Sequence, residues 1–373
     1  MWKLIVHLPD RYLIGMVVWL CTLALLAYVL LRLRRRWKAN VRWMRLVKAG
    51  LGLWCLAGFL TILELGFVLF YDTTDSFDMT NVSRRWYGVH VQPDLKILKF
   101  QNDGAYTFRD DVEYPLRPST TATHILFLGD SFTFGHGVAD VRVRFSNQLR
   151  TRLQADPATR GKFLVSNLSK PGSDLNLSEA LLQSSLEDQN RVDVAVHVMC
   201  LNDIEEFHAD SKKFNAELEQ LRKAPPTFLL RETYFFNWAY YRYRLLTRND
   251  LRNYYSFVNE YYSGPAWTKF AEKLDRISAL CRHNDIRFVL VIFPFLHNLG
   301  PDYPFEAAHA QIAAACLERN IVCLDLLPVL RSQADKRLTV NSFDAHPNER
   351  AHGIVAEELH RQINLLSPQP VMP

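Results

Sequence analysis

Four short segments of this chain carry side chains that together suit acyl transfer. Gly129, Asp130 and Ser131 follow the apolar run His124–Leu128 (HILFL) and open into the glycine-bearing stretch Phe132–Gly137 (FTFGHG). Further on come Asn167–Gly172 (NLSKPG), then Cys200–Asp203 (CLND), and near the C-terminus Asp344–Asn348 (DAHPN). A serine hydroxyl attacks a carbonyl only when a base takes its proton. That base needs a pKa near neutrality and a partner that fixes its tautomer, which His346 and Asp344 can provide. The charge that develops on the carbonyl oxygen needs fixed donors, and the backbone N–H groups of Ser131 and Gly172 with the Asn202 amide can supply three. Taken singly, each segment admits a plainer role, and Ser131 could do no more than cap a helix.

These groups meet only if the intervening chain brings them to one edge. The runs His124–Leu128, Phe163–Val165, Val192–Met199, Ile286–Phe293 and Ile321–Leu324 are short, apolar and rich in Val and Ile, as strands buried on both faces are. Helix-like stretches lie between or after them at 143–154, 175–188, 267–283, 306–319 and 348–366, the last with Val355, Leu359 and Ile363 on one face and Asn348 as N-cap. Alternation at this spacing predicts a parallel sheet covered by helices on both sides. In such a sheet the turns after the first three strands share an edge, so Ser131, Gly172 and Asn202 converge there. Residues 204–262 interrupt the alternation as an insertion, with twelve aromatics between Tyr234 and Tyr262. They read either as rings packed on the domain and on one another, or as a lid or surface for an apolar or sugar substrate.

With Gly-Asp-Ser first, Gly172 in the second block, Asn202 in the third and Asp344 with His346 in the last, the sequence over about residues 124 to 366 resembles the SGNH (GDSL-type) hydrolases. The resemblance implies a flavodoxin-like three-layer α/β/α domain, Ser131 as nucleophile, His346 as base, and Gly172 and Asn202 as oxyanion donors beside Ser131. Two features depart from the family pattern. A single residue, Ala345, separates Asp344 from His346 where the family usually has two, and Cys200 stands where a glycine is usual. If Asp344 were displaced, a backbone carbonyl could orient His346 instead. The rival G-x-S-x-G signature does not occur. The expected reaction is hydrolysis of an ester, carried by a small molecule, a glycan or a lipid, through an acyl-serine. Relatives with the same triad act as O-acyltransferases or deacetylases on envelope polysaccharide or glycolipid, and a non-catalytic binding module with this fold is the alternative from another class. No cofactor and no metal are expected, since serine, imidazole and three donors suffice. His136, His197 and His352 read as structural.

The charge pattern places this domain. The formal charge is +5, yet eight basic residues and no acidic one fall between Arg32 and Lys48, and without them the rest of the chain is net negative. Basic residues confined to one short segment argue against a nucleic-acid partner. Tyr12–Leu31 is free of charged residues, and Ala49–Tyr71 contains only Glu64, so each is long and apolar enough to span a bilayer. The first run ends at Arg32–Arg35 rather than in small residues, which disfavours a cleaved signal peptide. The expectation is an anchor over 1–71 with spans at about 12–31 and 49–71, a basic cytoplasmic loop at 32–48, a connecting segment at 72–123 with short strands around 95–108, and the hydrolase domain over 124–373. The membrane is then a partner, and the catalytic domain faces the extracytoplasmic, periplasm-like side of a bacterial inner membrane. Trp2, Tyr12, Trp37, Trp43, Phe70 and Tyr71 are placed as interfacial anchors. Glu64 is either functional or an ordinary carboxyl reaching water near the outer end.

Six cysteines are present. Cys200 reads as a buried thiol, and Cys316 and Cys323 could face each other across a helix-to-strand turn. Three N-x-S/T sequons begin at Asn81, Asn167 and Asn176, relevant only in a eukaryotic source.

Overall fold

The computed structural model describes residues 2–100, 104–114, 121–188, 190–208, 219–220, 222–247 and 254–367. Residues 101–103 and 115–120 of the expected connecting segment lie outside them. The chain forms two compact units, one of residues 1–89 and 220–248 and the other of 90–219 and 249–373.

The larger unit is built on five parallel strands: β3 (Thr123–Gly129), β4 (Phe163–Asn167), β5 (Val194–Cys200), β6 (Arg287–Phe293) and β7 (Val322–Asp325). It also holds a preceding antiparallel ribbon of β1 (Leu95–Phe100) and β2 (Gly104–Arg109). The parallel sheet has the order β4-β3-β5-β6-β7. Counted from its own first strand this is 2-1-3-4-5, the flavodoxin-like doubly wound order, in which the chain reverses direction between β3 and β5. Helices Phe145–Ala155 and Glu349–Arg361 pack together, as do Leu175–Glu187 and Pro265–His283, which puts two helical layers around the sheet. All seven residues of β5 are buried, because a central strand between two helical layers has no wet face. The last helix begins as expected: Asn348 accepts the Ala351 N–H at 3.0 Å, and Val355 and Leu359 are fully buried. It is shorter than the periodicity suggests, since Ile363–Leu366 continues as a 3-10 turn.

The smaller unit contains two long helices, Asp10–Arg36 and Val41–Phe70, both long and apolar enough to cross a membrane. The expected loop at 32–48 shrinks to a turn at 37–40, because most of its basic residues continue the two helices for another turn or two. Trp19 Nε1 donates to Thr61 Oγ1 at 2.9 Å and Trp54 Nε1 to the Leu23 carbonyl at 2.8 Å, which ties the helices as an antiparallel pair. Trp37 and Trp43 stack at 4.7 Å across the turn. Tyr12, expected at an interface, is instead buried edge-on against Tyr234, with ring centroids 5.2 Å apart.

Half of the aromatic insertion folds with this unit. Helix Phe235–Thr247 starts where Glu64 accepts the N–H groups of Tyr234 and Phe235, each at 2.7 Å. The buried carboxylate in the apolar segment is therefore a helix cap, and the reading of Glu64 as merely reaching water gives way to a structural role. Arg85 closes the C-terminal end of the second long helix by donating to the carbonyls of Val68 at 2.8 Å and Tyr71 at 3.0 Å.

All six cysteines are free thiols. Cys200 is fully buried, as expected, and Cys316 and Cys323 share a hydrogen bond instead of a disulfide.

Candidate active site

The serine is delivered by a turn that requires glycine at its start. Gly129 ends β3 at φ +149°, where a Cβ would lie 2.5 Å from Thr133 Oγ1 and 2.6 Å from the Val198 carbonyl. Asp130 then caps the single helical turn Ser131–Phe134 by accepting the Phe132 N–H at 2.8 Å, and Gly135 closes it in the left-handed conformation at φ +74°. Ser131 is thereby held at the carboxyl edge of the sheet, on the strand beside the reversal point.

The imidazole arrives from the opposite end of the chain. Strands β8 (Thr339–Asn341) and β9 (Asp344–Pro347) form a small antiparallel ribbon pinned by Asn348, whose Nδ2 donates to the carbonyls of Arg337 and Thr339. His346 Nε2 lies 2.9 Å from Ser131 Oγ, and His346 Nδ1 lies 2.6 Å from Asp344 Oδ1. The same oxygen accepts the backbone N–H of His346 at 3.1 Å. The short Asp-x-His spacing is thus accommodated by extended backbone, because residues i and i+2 of a strand share a face. Asp344 and His346 are both buried, with Ala345 between them on the more open side.

Gly172 and Asn202 stand at the ends expected of them. Gly172, at φ +73°, lies in the exposed turn after β4, and half-buried Asn202 lies in the 3-10 turn Leu201–Phe207 after β5. Since β4 and β5 flank β3, the turns carrying Gly172, Ser131 and Asn202 are neighbours along one edge. The arrangement can move a proton from a hydroxyl to an imidazole whose far nitrogen is fixed by a buried carboxylate.

Beneath this edge lie two more buried carboxylates. Burial pushes the Asp130 carboxyl up to about 7, even though it accepts backbone N–H groups. The Asp203 carboxyl is also raised, by burial and by the nearby Asp130 charge. His197 lies between Ser178 Oγ, at 2.9 Å, and Asp203 Oδ2, at 3.1 Å, and burial lowers its pKa to about 3. His352 accepts the Phe145 N–H at 3.3 Å, and burial with the nearby Arg144 charge lowers it to about 3 as well. Both are neutral packing histidines, as their sequence context suggested.

His136 lies beside the Asp344–His346 pair. Its Nε2 lies 3.6 Å from Asp344 Oδ2, and its ring packs 4.3 Å from that of His346. The ligand atoms of His136, Asp344 and His346 fall within 4.8 Å of one another, the one such group among the described residues that could offer three metal ligands. Both nitrogens of His346 are already engaged, by Asp344 and Ser131.

The scaffold that fixes these turns has no local signature in the sequence. Arg109, fully buried, donates to the carbonyls of Gly135 at 2.9 Å and Val138 at 2.8 Å and so holds the loop carrying His136. Asn167, the residue of the second sequon, is buried and donates to the Thr133 carbonyl at 3.0 Å and Ser146 Oγ at 2.9 Å while accepting the Ser169 N–H at 3.0 Å. It brackets the serine turn to the turn that contains Gly172. A polar residue at a strand end signals a turn, but nothing in its sequence context names three partners.

Residues 127–354 match the family model of the GDSL-like lipase/acylhydrolase family. Among solved structures, TesA is 16% identical and is covered over 99% of its length by 65% of this chain, with a TM-score of 0.41. The esterase EstA from Pseudoalteromonas sp. is 16% identical, with 65% of this chain and 97% of that chain covered and a TM-score of 0.39. The acetylxylan esterase Axe2 from Geobacillus stearothermophilus is 15% identical, with 65% and 95% covered and a TM-score of 0.41. No curated protein matches.

Proposed function

The chain belongs to the GDSL-like lipase/acylhydrolase family and is an ester-hydrolysing enzyme; from that premise we propose that it acts through an acyl-Ser131 intermediate, on the outer side of a membrane to which it is anchored. The observation that carries the reading is the unbroken path from Ser131 Oγ through His346 to Asp344, at 2.9 Å and 2.6 Å. His346 Nε2 takes the hydroxyl proton as Oγ bonds to the ester carbonyl carbon. The Ser131 and Gly172 N–H groups and the Asn202 amide receive the charge that forms on the carbonyl oxygen. His346 then returns the proton to the departing alcohol, and a water, deprotonated by the same imidazole, releases the acid and restores the serine. Asp344 holds the Nδ1 proton in place and balances the imidazolium that forms twice per turnover.

Covalent labelling tests this directly. A fluorophosphonate probe is expected to modify the detergent-solubilised full chain at Ser131, with peptide mapping placing the adduct there; an adduct elsewhere, or none on folded protein, would overturn the assignment. Product analysis of an acetyl ester with a soluble xylo-oligosaccharide as acceptor should show acetate in excess of acetylated sugar. Transfer exceeding hydrolysis would make the protein an acyltransferase in practice.

Two long apolar helices joined by a basic turn support the anchor, and the basic residues at that turn support its cytoplasmic placement. An alkaline phosphatase fused after Pro373 should then be active in intact cells, and a reporter active only in the cytoplasm would reverse the orientation. The substrate is an ester or acetylated molecule. A neutral ester suits the net negative charge of the chain beyond the basic turn.

A further inference from the structure

We propose that the unit of the two long helices carries a lipid-binding groove that takes one acyl chain of a phospholipid from the surrounding leaflet, an inference that rests on the membrane-anchored reading above. The groove encloses about 580 Å³, within the range of roughly 300–1,000 Å³ typical of small-molecule pockets. One wall is the first long helix between Arg11 and Thr22, the second is the other long helix between Ala57 and Glu64, and the third is the segment Phe228–Phe236. A Cβ on Gly15 would stand 3.6 Å from the Phe228 ring, in ordinary contact, so a longer side chain there would take up the space a ligand needs.

The lining selects hydrocarbon over a polar ligand. Its hydroxyls are bonded within the chain: Thr22 Oγ1 donates to the Val18 carbonyl at 2.8 Å and Thr233 Oγ1 to the Leu229 carbonyl at 2.6 Å. Thr61 Oγ1 donates to the Ala57 carbonyl at 2.7 Å and accepts the Trp19 Nε1–H at 2.9 Å. Glu64 accepts one backbone N–H on each carboxylate oxygen, and Glu232 accepts from Arg231 Nε at 2.7 Å. A sugar would give up its hydration here for few new hydrogen bonds, whereas a hydrocarbon chain gives up none. The position of the groove along the helices narrows the class further. From Arg11 to Thr22 a helix rises about 16 Å, close to half of a hydrocarbon core of about 30 Å. The groove therefore covers the depth of one leaflet, at the end of the helices away from the basic turn. Arg11 is exposed at that end, at headgroup depth, where a guanidinium pairs with phosphate. Val18, Trp19, Phe228 and Leu229 line the groove and stay exposed, which leaves a lateral way in from the bilayer.

The test uses the full chain in vesicles of phosphatidylethanolamine and phosphatidylglycerol containing a phosphatidylethanolamine whose acyl chain carries a diazirine. After irradiation, adducts should concentrate in peptides bearing residues 11–22, 57–64 and 228–236, and labelling should saturate as the probe fraction rises. Gly15→Leu, which fills the groove, should cut this labelling about fivefold or more. Ala57→Leu should do the same from the second wall, and it carries the comparison if Gly15→Leu fails to insert. Ile62→Phe, on the exposed face of that helix outside the groove, should leave labelling within about twofold. Adducts spread evenly over the exposed faces of both helices, or labelling indifferent to both groove variants, would overturn the proposal. Labelling by a photoactivatable palmitic acid and not by the phospholipid would overturn the choice of occupant. Release of the wild type from membranes by alkaline carbonate would overturn the anchored reading and this inference with it, whereas an embedded protein without groove labelling overturns the inference alone.

Discussion

Ser131→Ala is expected to reduce kcat for a small activated ester by about 10⁴-fold to 10⁶-fold, and His346→Ala by a similar factor. The double variant should be no slower than either, since each removal abolishes the same step. Both proteins should remain folded, because Ser131 is only part-buried and its turn is held by Asp130, Gly129 and Arg109 rather than by the hydroxyl. Asp344→Asn should cost about a hundredfold to ten-thousandfold, for a distinct reason. If the new amide donates to Nδ1 it leaves Nε2 protonated, and the imidazole can no longer accept the serine proton. If it accepts from Nδ1, the tautomer is right but the charge that balances the imidazolium is gone. Initial rates with circular dichroism of each variant measure this, and a Ser131→Ala protein that retains turnover would remove the serine mechanism altogether.

How much of this was legible in the sequence follows from how local each signal is. The five parallel strands were visible as apolar runs because a strand covered on both faces writes its burial into consecutive residues. The capping of the last helix by Asn348 was visible because capping is local chemistry. Ser131, Gly172 and Asn202 were visible because each lies at the end of such a strand, and strand order then does the rest. The partners of the buried polar residues were not. Glu64 finds the N–H groups of Tyr234 and Phe235 about 170 positions away, so the aromatic insertion, which reads as one block, divides: residues 220–248 fold with the apolar helices and the stretch after 253 with the sheet. A histidine beside two glycines carries no local mark of its surroundings, and the carboxylate near His136 comes from β9, more than 200 residues further along the chain.

Asp110→Ala is expected to destabilise the protein by about 3–5 kcal/mol at neutral pH, the cost of leaving a buried cation without its counter-charge. Asp110 is almost fully buried and accepts from Arg144 Nη2 at 2.8 Å, Arg150 Nη2 at 2.9 Å and Asn147 Nδ2 at 3.0 Å, with the Tyr114 hydroxyl also donating to it. Arg144 is fully buried and has no route to solvent if its partner is removed. Burial alone would raise the Asp110 carboxyl, but the Arg144 charge, the contact with Asp111 and the Arg150 charge outweigh it and hold the group well below the usual carboxylate range. A carboxyl depressed on folding binds its proton more tightly when unfolded. Its contribution is therefore complete above the unfolded value, about 4, and is lost as pH falls through that value toward the folded one. The gap between wild type and Asp110→Ala, measured by chemical unfolding of the full chain followed by circular dichroism, should be widest at pH 7 and narrow steadily below pH about 4. A gap independent of pH would assign the loss to packing. The effect should reach the site as well: Tyr114 accepts the Asn167 N–H at 2.9 Å, and Asn167 holds the Thr133 carbonyl of the serine turn, so at pH 7 the folded variant should also lose kcat ahead of KM.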